Sequence, residues 1–365
     1  MKSDLIVITG GPCAGKSSAL CAIQRHFEKL GYTVLVVCET ATELIGGGVA
    51  PWTCGSNVDY QIGQMRLQME KERVFERAAR TMSADKILIV CDRGALDNRA
   101  YMTEAEFQKV LWELDVNEVT LRDHYDAVFH LVTAARGAEA FYTTANNTAR
   151  TETPEQARAL DDRIIAAWTG HPHFRVIDNS TDFEGKIQRL IAEISVYLGE
   201  PEPCEIERRF LIRYPDVEWL TKHPACRRVD IVQTYVQPDH EERFRLRQRG
   251  YNGSYVYFLT RKKSVSPIKR IELENRLTRE EYQAYLSGEG RKTQLAKSRY
   301  CLTYKDQYFE IDVYPFWTDQ AIMEIELRSE DQPVILPEGI DVIREITGDR
   351  SLNNSALAEE YGVTL

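Results

Sequence analysis

The sequence has no apolar run of the about 18 residues that a bilayer crossing requires. Its first apolar stretch is too short for the core of a secretory leader, so none is expected. Cysteine pairs of the C-x-x-C type are absent: the eight cysteines, at 13, 21, 38, 54, 91, 204, 226 and 301, are scattered. That spacing excludes a zinc knuckle or a disulfide framework and fits a reducing, cytoplasmic setting. Positive charge is also short, with 46 Lys and Arg against 56 Asp and Glu, a net charge of −10. The balance excludes a general nucleic-acid binder, whose affinity needs a basic surface, but leaves room for a local basic pocket. What is present is 365 residues, 43% hydrophobic and 28% charged, which suits a globular protein of two domains.

The first organised stretch is Gly10-Gly11-Pro12-Cys13-Ala14-Gly15-Lys16-Ser17, a G-x-x-x-x-G-K-S phosphate-binding loop. Leu5-Ile6-Val7-Ile8-Thr9 before it is a buried-strand pattern. Ser18 to Leu30 after it has helical spacing, with Leu20, Ile23, Phe27 and Leu30 on one face. The glycines let successive N–H groups of Cys13, Ala14, Gly15, Lys16, Ser17 and Ser18 point at one anion, and the helix dipole adds to them. Lys16 is expected on the β- and γ-phosphates and Ser17 on Mg²⁺. Cys13 is expected to pack as a small residue.

Further strands are expected at 33–38, 86–91, 127–132 and 174–177, with helices at 60–84, 155–168 and 182–198. Glu39 lies just past the second strand, on the edge where an open α/β sheet binds ligands. It suits a proton acceptor or substrate anchor, or equally a carboxylate that answers a helix dipole. Asp92 ends the third strand, where P-loop enzymes place the group that orients Mg²⁺. Arg93 beside it, Arg136 after the fourth strand and Arg150 in a polar lid-like stretch (143–153) are candidate phosphate contacts. Gly46-Gly47-Gly48 with Pro51-Trp52 suggests a loop over an acceptor site. Residues 4–198 resemble the nucleoside- and nucleotide-kinase-like branch of P-loop proteins through the loop, Asp92-Arg93-Gly94, Asp97 and Tyr101. The resemblance implies Mg²⁺ with ATP or GTP, and no guanine-reading Asn/Thr-Lys-x-Asp motif is present.

Gly199-Glu200-Pro201-Glu202-Pro203-Cys204 is the best linker, dividing a domain at 1–198 from one at 205–365. Beyond it the pattern changes to strands in succession with alternating charge. Arg243, Arg245, Arg247 and Arg249 share one face of a strand. So do Glu205, Glu207 and Arg209; Arg270, Glu272 and Glu274; Glu310 and Asp312; and Glu324, Glu326 and Arg328. Two carboxylates about 4 Å apart repel by about 4 kcal/mol at an effective dielectric of about 20, and less at the wider same-strand spacing. Several such pairs beside a basic set suit a metal–polyphosphate ligand: oxygens for Mg²⁺ or Mn²⁺, guanidinium and ammonium groups for phosphates. A closed barrel aims both sets into one lumen.

The same stretches resemble the CYTH, or triphosphate tunnel metalloenzyme, family. Glu205-Ile206-Glu207-Arg208-Arg209 is similar to its E-x-E-x-K opening. The likeness runs through Arg243-Phe244-Arg245-Leu246-Arg247, Thr260-Arg261-Lys262, Arg270-Ile271-Glu272, Lys297-Ser298-Arg299, Glu310-Ile311-Asp312 and Glu324-Ile325-Glu326 to Asn354-Ser355-Ala356-Leu357. It implies an antiparallel eight-stranded tunnel that binds a triphosphate with divalent metal. Glu205, Glu207, Glu324 and Glu326 become the foremost metal ligands, and Arg243, Arg245, Lys262, Arg270, Lys297 and Arg299 the phosphate ligands. Lys262 and Arg209 fall at catalytic positions. Arg209 stands where the family has lysine, a bulkier planar donor in place of a point charge.

A P-loop domain ahead of such a tunnel resembles the TRPL translocation defect type. The function expected is phosphoanhydride handling at two sites: phosphoryl transfer or hydrolysis from ATP or GTP at the loop, and metal-dependent triphosphate hydrolysis in the tunnel. Two alternatives stand beside it. One is a nucleotide-switched module whose tunnel captures an anionic phosphate or phospholipid headgroup; the other is cyclisation of ATP, which the tunnel resemblance implies as well.

Overall fold

A computed structural model describes residues 2–142, 152–200, 206–238, 243–264, 270–327 and 331–365, with the side chains of 2, 262–264 and 270–273 outside that description. The chain forms two compact units, Met1–Glu202 and Pro203–Leu365.

The first unit runs β1 (Lys2–Gly10), α1 (Lys16–Lys29), β2 (Thr33–Val37), α2 (Thr40–Gly46), α3 (Asn57–Ala79), β3 (Lys86–Asp92), α4 (Glu104–Glu113), α5 (Glu118–Arg122), β4 (Ala127–Leu131), α6 (Pro154–Trp168), β5 (Phe174–Ile177) and α7 (Phe183–Leu198). The five strands pair in parallel in the order β2-β3-β1-β4-β5. The strands carry the expected continuous apolar runs because helices cover them. On one side Ile6, Ile8, Leu88, Val90, Phe129 and Leu131 pack with Ile23 and Phe27 of α1 and Leu190 and Ile194 of α7. Helix α3 starts three residues before the expected 60 because the Ser56 hydroxyl accepts from Asp59 N and caps it. The central β1 therefore delivers Gly10–Ser17 to the carboxyl edge of the sheet, between the ends of β3 and β4.

The second unit runs β6 (Ile206–Arg213), α8 (Val217–Lys222), β7 (Cys226–Gln237), β8 (Phe244–Tyr251), β9 (Ser254–Ser264), β10 (Arg270–Leu277), α9 (Arg279–Ser287), β11 (Arg291–Tyr304), β12 (Gln307–Val313), β13 (Gln320–Leu327), β14 (Val342–Glu345), α10 (Asn354–Tyr361) and β15 (Val363–Thr364). The long strands pair antiparallel in the order β10-β9-β8-β7-β11-β12-β13-β6, with the short β14 beyond β6 and β15 on β11. This is the expected antiparallel architecture. One face is apolar: Phe210, Ile212, Tyr300, Leu302, Phe309, Ile311, Met323 and Ile325 pack with Leu220 of α8. Val236, Phe244, Leu246 and Leu259 pack with Tyr282 of α9. The other face carries the alternating charges. On a solvated sheet they would lie open to water. Instead Arg209 is 7% exposed, Lys297 4%, Arg249 2% and Asp312 0%. The charged face is interior, and α10 packs on it through Leu357 and Ala358 against Leu211, Leu295 and Ile322.

Candidate functional sites

In the first unit the loop is shaped by three residues in conformations with positive φ. Gly10 has φ 149, and a Cβ there would lie 2.2 Å from the carbonyl oxygen of Leu131. Cys13 (φ 57) and Gly15 (φ 90) turn the chain into α1, which begins at Lys16. Ser17 and Ser18 are exposed at the mouth of the loop. Lys16 is buried and folded over its own loop, donating from Nζ to the carbonyls of Gly10 at 3.1 Å and Gly11 at 3.4 Å. Burial, with Arg93 nearby, lowers its ammonium to about 8, against the pull of Glu39, Asp92 and Asp97.

Glu39, Asp92 and Arg93 converge beside Lys16. The carboxylate of Glu39 makes no capping bond to α2, although it stands at the N-cap; it accepts from Arg93 Nε at 2.5 Å and from Thr42 Oγ1 at 2.5 Å. Burial resists its charge, but Arg93 and Lys16 prevail and hold it down to about 2. Arg93 also donates to Asp97 Oδ1 at 3.1 Å, and Asp97 is fixed by Thr9 Oγ1 and by Gly94 N at 2.9 Å. Asp92 differs from both. Its Oδ1 is buried with no hydrogen-bond partner, and burial raises its carboxyl above the ordinary value. The orphaned Asp92 oxygen and the exposed Ser17 hydroxyl are both hard oxygen donors of the kind a divalent cation takes. Their chemistry fits a divalent cation, and Ser17 and Asp92 are the residues that would hold it.

Three more buried oxygens of α2 and α3 lack partners: Thr40 Oγ1, Tyr60 OH and Gln61 Oε1. Tyr60 senses the charges of Glu39 and Tyr101. None of these three stood out in the sequence, because each lies at an ordinary helical position of α2 or α3. Arg136 pairs with Asp162 of α6, and Arg150 lies outside the described residues.

In the second unit the expected residues form two connected groups. Arg209 of β6 donates to Glu324 of β13, its register partner, and Arg299 of β11 donates to Asp312, Glu310 and Glu324. Lys297 adds a third bond to Asp312, beside the two from Arg299. Burial opposes the charge of Arg299, but Asp312, Glu310 and Glu324 hold it fully protonated. Burial likewise opposes ionisation of Asp312, and Arg299 and Lys297 push its carboxyl below the usual range. Both Asp312 oxygens are thus engaged by cations. Glu207 lies 3.3 Å from Arg209 Nε, yet desolvation and the neighbouring Glu324 raise it to about 7 against that cation. Both Glu324 oxygens accept from cations, Oε1 from Arg209 and Oε2 from Arg299. Among the described residues no group of three or more acidic, His or Cys side chains is arranged to hold a metal. Glu326 is exposed on the same strand, and Glu205 and the side chains of Lys262, Arg270 and Glu272 lie outside the described residues.

The second group is basic. Arg245 donates to Thr260 Oγ1 at 3.2 Å, Arg247 lies 3.5 Å from Glu274, and Arg243 is exposed over Tyr235 and bonded to Glu359 of α10 at 3.2 Å. Burial and the adjacent Arg245 lower Arg247, with Arg299 adding to the effect, so cations are crowded on this face. Glu274 answers part of that charge, lying 3.5 Å from Arg247 and 3.9 Å from Arg245.

Residues 5–186 match the family model of the AAA domain. No curated protein matches the chain. The solved structure of the hypothetical protein NE1496 is similar at 29% identity, with a TM-score of 0.30, covering 42% of this chain and 97% of its own. That of the inorganic triphosphatase NE1496 is similar at 28% identity, with a TM-score of 0.28, covering 42% of this chain and 94% of its own. The first unit of this protein thus carries an AAA-type P-loop domain, whose loop is Gly10–Ser17.

Proposed function

We propose that the protein handles phosphoanhydrides at two sites: phosphoryl transfer from Mg²⁺–ATP or Mg²⁺–GTP in the first unit, and metal-dependent hydrolysis of an inorganic or organic triphosphate in the second. The observation that carries the first half is Lys16 beside the orphaned Asp92 oxygen at the mouth of the loop. Mg²⁺, once bound, neutralises charge on the phosphates. Lys16 releases the loop carbonyls and takes the β- and γ-phosphate oxygens. Arg93, oriented by Glu39 and Asp97, faces the same region as a fixed cation. The unpartnered Thr40 and Tyr60 oxygens beside Glu39 are polar groups that a bound acceptor would pair. In the second unit Arg245, Arg247 and Arg299 bind the phosphates, and Glu207 with Glu324 holds the metal.

One observation favours a second reading, in which the second unit captures an anionic phosphate or lipid headgroup without turnover. Arg209 donates to Glu324, to Asn353 Oδ1 at 2.8 Å and to the Leu352 carbonyl at 2.9 Å, so it serves the packing of the C-terminal segment.

The test is phosphate release from ATP, GTP and tripolyphosphate with Mg²⁺ or Mn²⁺, in wild type, Lys16→Ala and Glu207→Gln. Nucleotide turnover lost only in the first variant and tripolyphosphate turnover lost only in the second is the expected result. Tripolyphosphate bound but not cleaved establishes the second reading. No nucleotide binding by folded wild type removes the first site.

A further inference from the structure

We propose that Lys186 and Asn179 are positioning residues of the phosphate-binding loop, fixing its amides outward before nucleotide arrives; this rests on the reading that the loop binds nucleotide. Lys186 lies in the first turns of α7 and is 3% exposed. Its Nζ donates to the carbonyls of Ala14 at 3.2 Å and Val132 at 2.6 Å and to Asn179 Oδ1 at 2.7 Å. All three ammonium protons are used. Asn179 in turn donates to the carbonyls of Thr133 at 2.8 Å and Arg136 at 2.7 Å. The loop is gripped from two further sides: the Gly11 amide donates to Asp161 at 2.8 Å, and the Thr133 hydroxyl donates to the Pro12 carbonyl at 2.5 Å.

Peptide planarity turns these grips into orientation. In a trans peptide the C=O and N–H point opposite ways. Pinning the Pro12 and Ala14 carbonyls to buried donors therefore aims the N–H groups of Cys13 and Gly15 away from those donors. These are the two loop residues with φ of 57 and 90, the turn that gathers successive amides into an anion nest. A loop held so before binding loses less freedom on binding. The Asn179 arm extends the same rigid block to the Arg136 backbone, at the root of the segment in which the sequence places phosphate-binding arginines.

Burying an ammonium is costly, and desolvation brings Lys186 down to about 8 while Asp161 supports its charge. A leucine or methionine would fill an apolar stripe at this point of α7, so the lysine serves the loop.

The experiment uses full-length Lys186→Met and Asn179→Ala, with hydrogen exchange of the 10–17 segment in nucleotide-free protein and calorimetric binding of Mg²⁺–ATP. Lys186→Met is expected to speed exchange in this segment selectively and to weaken ATP by about 10- to 100-fold. Asn179→Ala, which leaves Lys186 its two carbonyls, is expected to weaken ATP by about 3- to 10-fold. Wild-type exchange and affinity in a folded Lys186→Met overturn the proposal. If that variant does not fold, unchanged exchange and affinity in Asn179→Ala overturn it. Exchange needs no ligand, so it reports on positioning even if wild type fails to bind ATP, an outcome that counts against the nucleotide reading alone.

Discussion

Arg209 and Glu324 face each other across β6 and β13, Nε 2.9 Å from Oε1, and the same guanidinium reaches Asn353 and the Leu352 carbonyl in front of α10. A lysine keeps the charge but lacks the planar fork that serves three acceptors in three directions. Arg209→Lys should therefore loosen the C-terminal segment, at a cost of about 1–3 kcal/mol. It also removes the Nε bond to Glu324 Oε1, leaving that carboxylate to Arg299 alone. Protease digestion of the 350–365 region should become faster, and tripolyphosphate turnover with Mg²⁺ or Mn²⁺ should rise. Unaltered proteolysis and turnover would refute the clamp.

Asp312 is the anion on which two buried cations depend. Arg299 donates to it through Nε and Nη2, both at 2.7 Å, and Lys297 donates to it from the neighbouring inward position on β11. Asp312→Asn removes the charge that compensates both. Breaking a buried pair from one side costs about 3–5 kcal/mol. The variant should unfold its second unit at clearly lower urea than wild type while the first unit is unaffected. Coincident transitions in the two proteins would show that the cations find other partners.

These two residues mark where the sequence was legible and where it stopped. Period-2 alternation placed Arg209, Arg299, Asp312 and Glu324 on one face, and the strand–loop–helix pattern placed Lys16, Glu39 and Asp92 at one sheet edge. Same-strand neighbours alone suggested that the carboxylates repel one another. In the fold, register brings Arg209 opposite Glu324 and Arg299 opposite Asp312, so most of that repulsion is answered by cations from adjacent strands. Register between strands distant in sequence is a tertiary property, set by the packing of the other face. Lys186 was hidden for a related reason. A lysine in an amphipathic helix looks like a solvated residue until the acceptors beneath it are known, and those come from residues 14, 132 and 179.

Glu39 is held ionised by Arg93 far below neutrality. Its carboxyl is brought to about 2 from an ordinary 4.5, so native protein releases a proton that unfolded protein still binds between those values. The resulting stability, about 3 kcal/mol, is complete above pH 4.5 and lost as pH falls toward 2. Glu39→Gln should lower the melting temperature at pH 7 and flatten the acid dependence below 4.5. A carboxylate with so low a value is a weak base at neutral pH. Any phosphoryl transfer at the loop should accordingly show no rate step from Glu39 between pH 5 and 9. An acid limb in that range that disappears in Glu39→Gln would contradict this arrangement.

Glu72 presents the opposite case, in the body of the first unit. It is buried in α3, accepting from Tyr125 OH at 2.9 Å and from Gln68 Nε2 at 3.1 Å, and Tyr125 OH in turn accepts from Ala95 N at 2.7 Å. Gln68 also donates to the Arg93 carbonyl at 3.0 Å, so the cluster supports the turn that carries Asp92 and Arg93. Burial raises Glu72 to about 8; Glu76 adds to this, while Tyr125, Gln68 and Lys71 oppose it. Between 4.5 and 8 the native protein keeps a proton that the unfolded chain has released. Stability therefore falls as pH rises through that window, by about 5 kcal/mol at most, and the loss is complete above 8. Glu72→Gln keeps an oxygen for Tyr125 and Gln68 and stays neutral at every pH. Its melting temperature should match wild type near pH 4.5, exceed it by a margin that grows from pH 5 to 8, and keep a constant margin above 8. Parallel curves for the two proteins from pH 5 to 8 would mean that Glu72 is already ionised at neutral pH, with Lys71 or solvent compensating it.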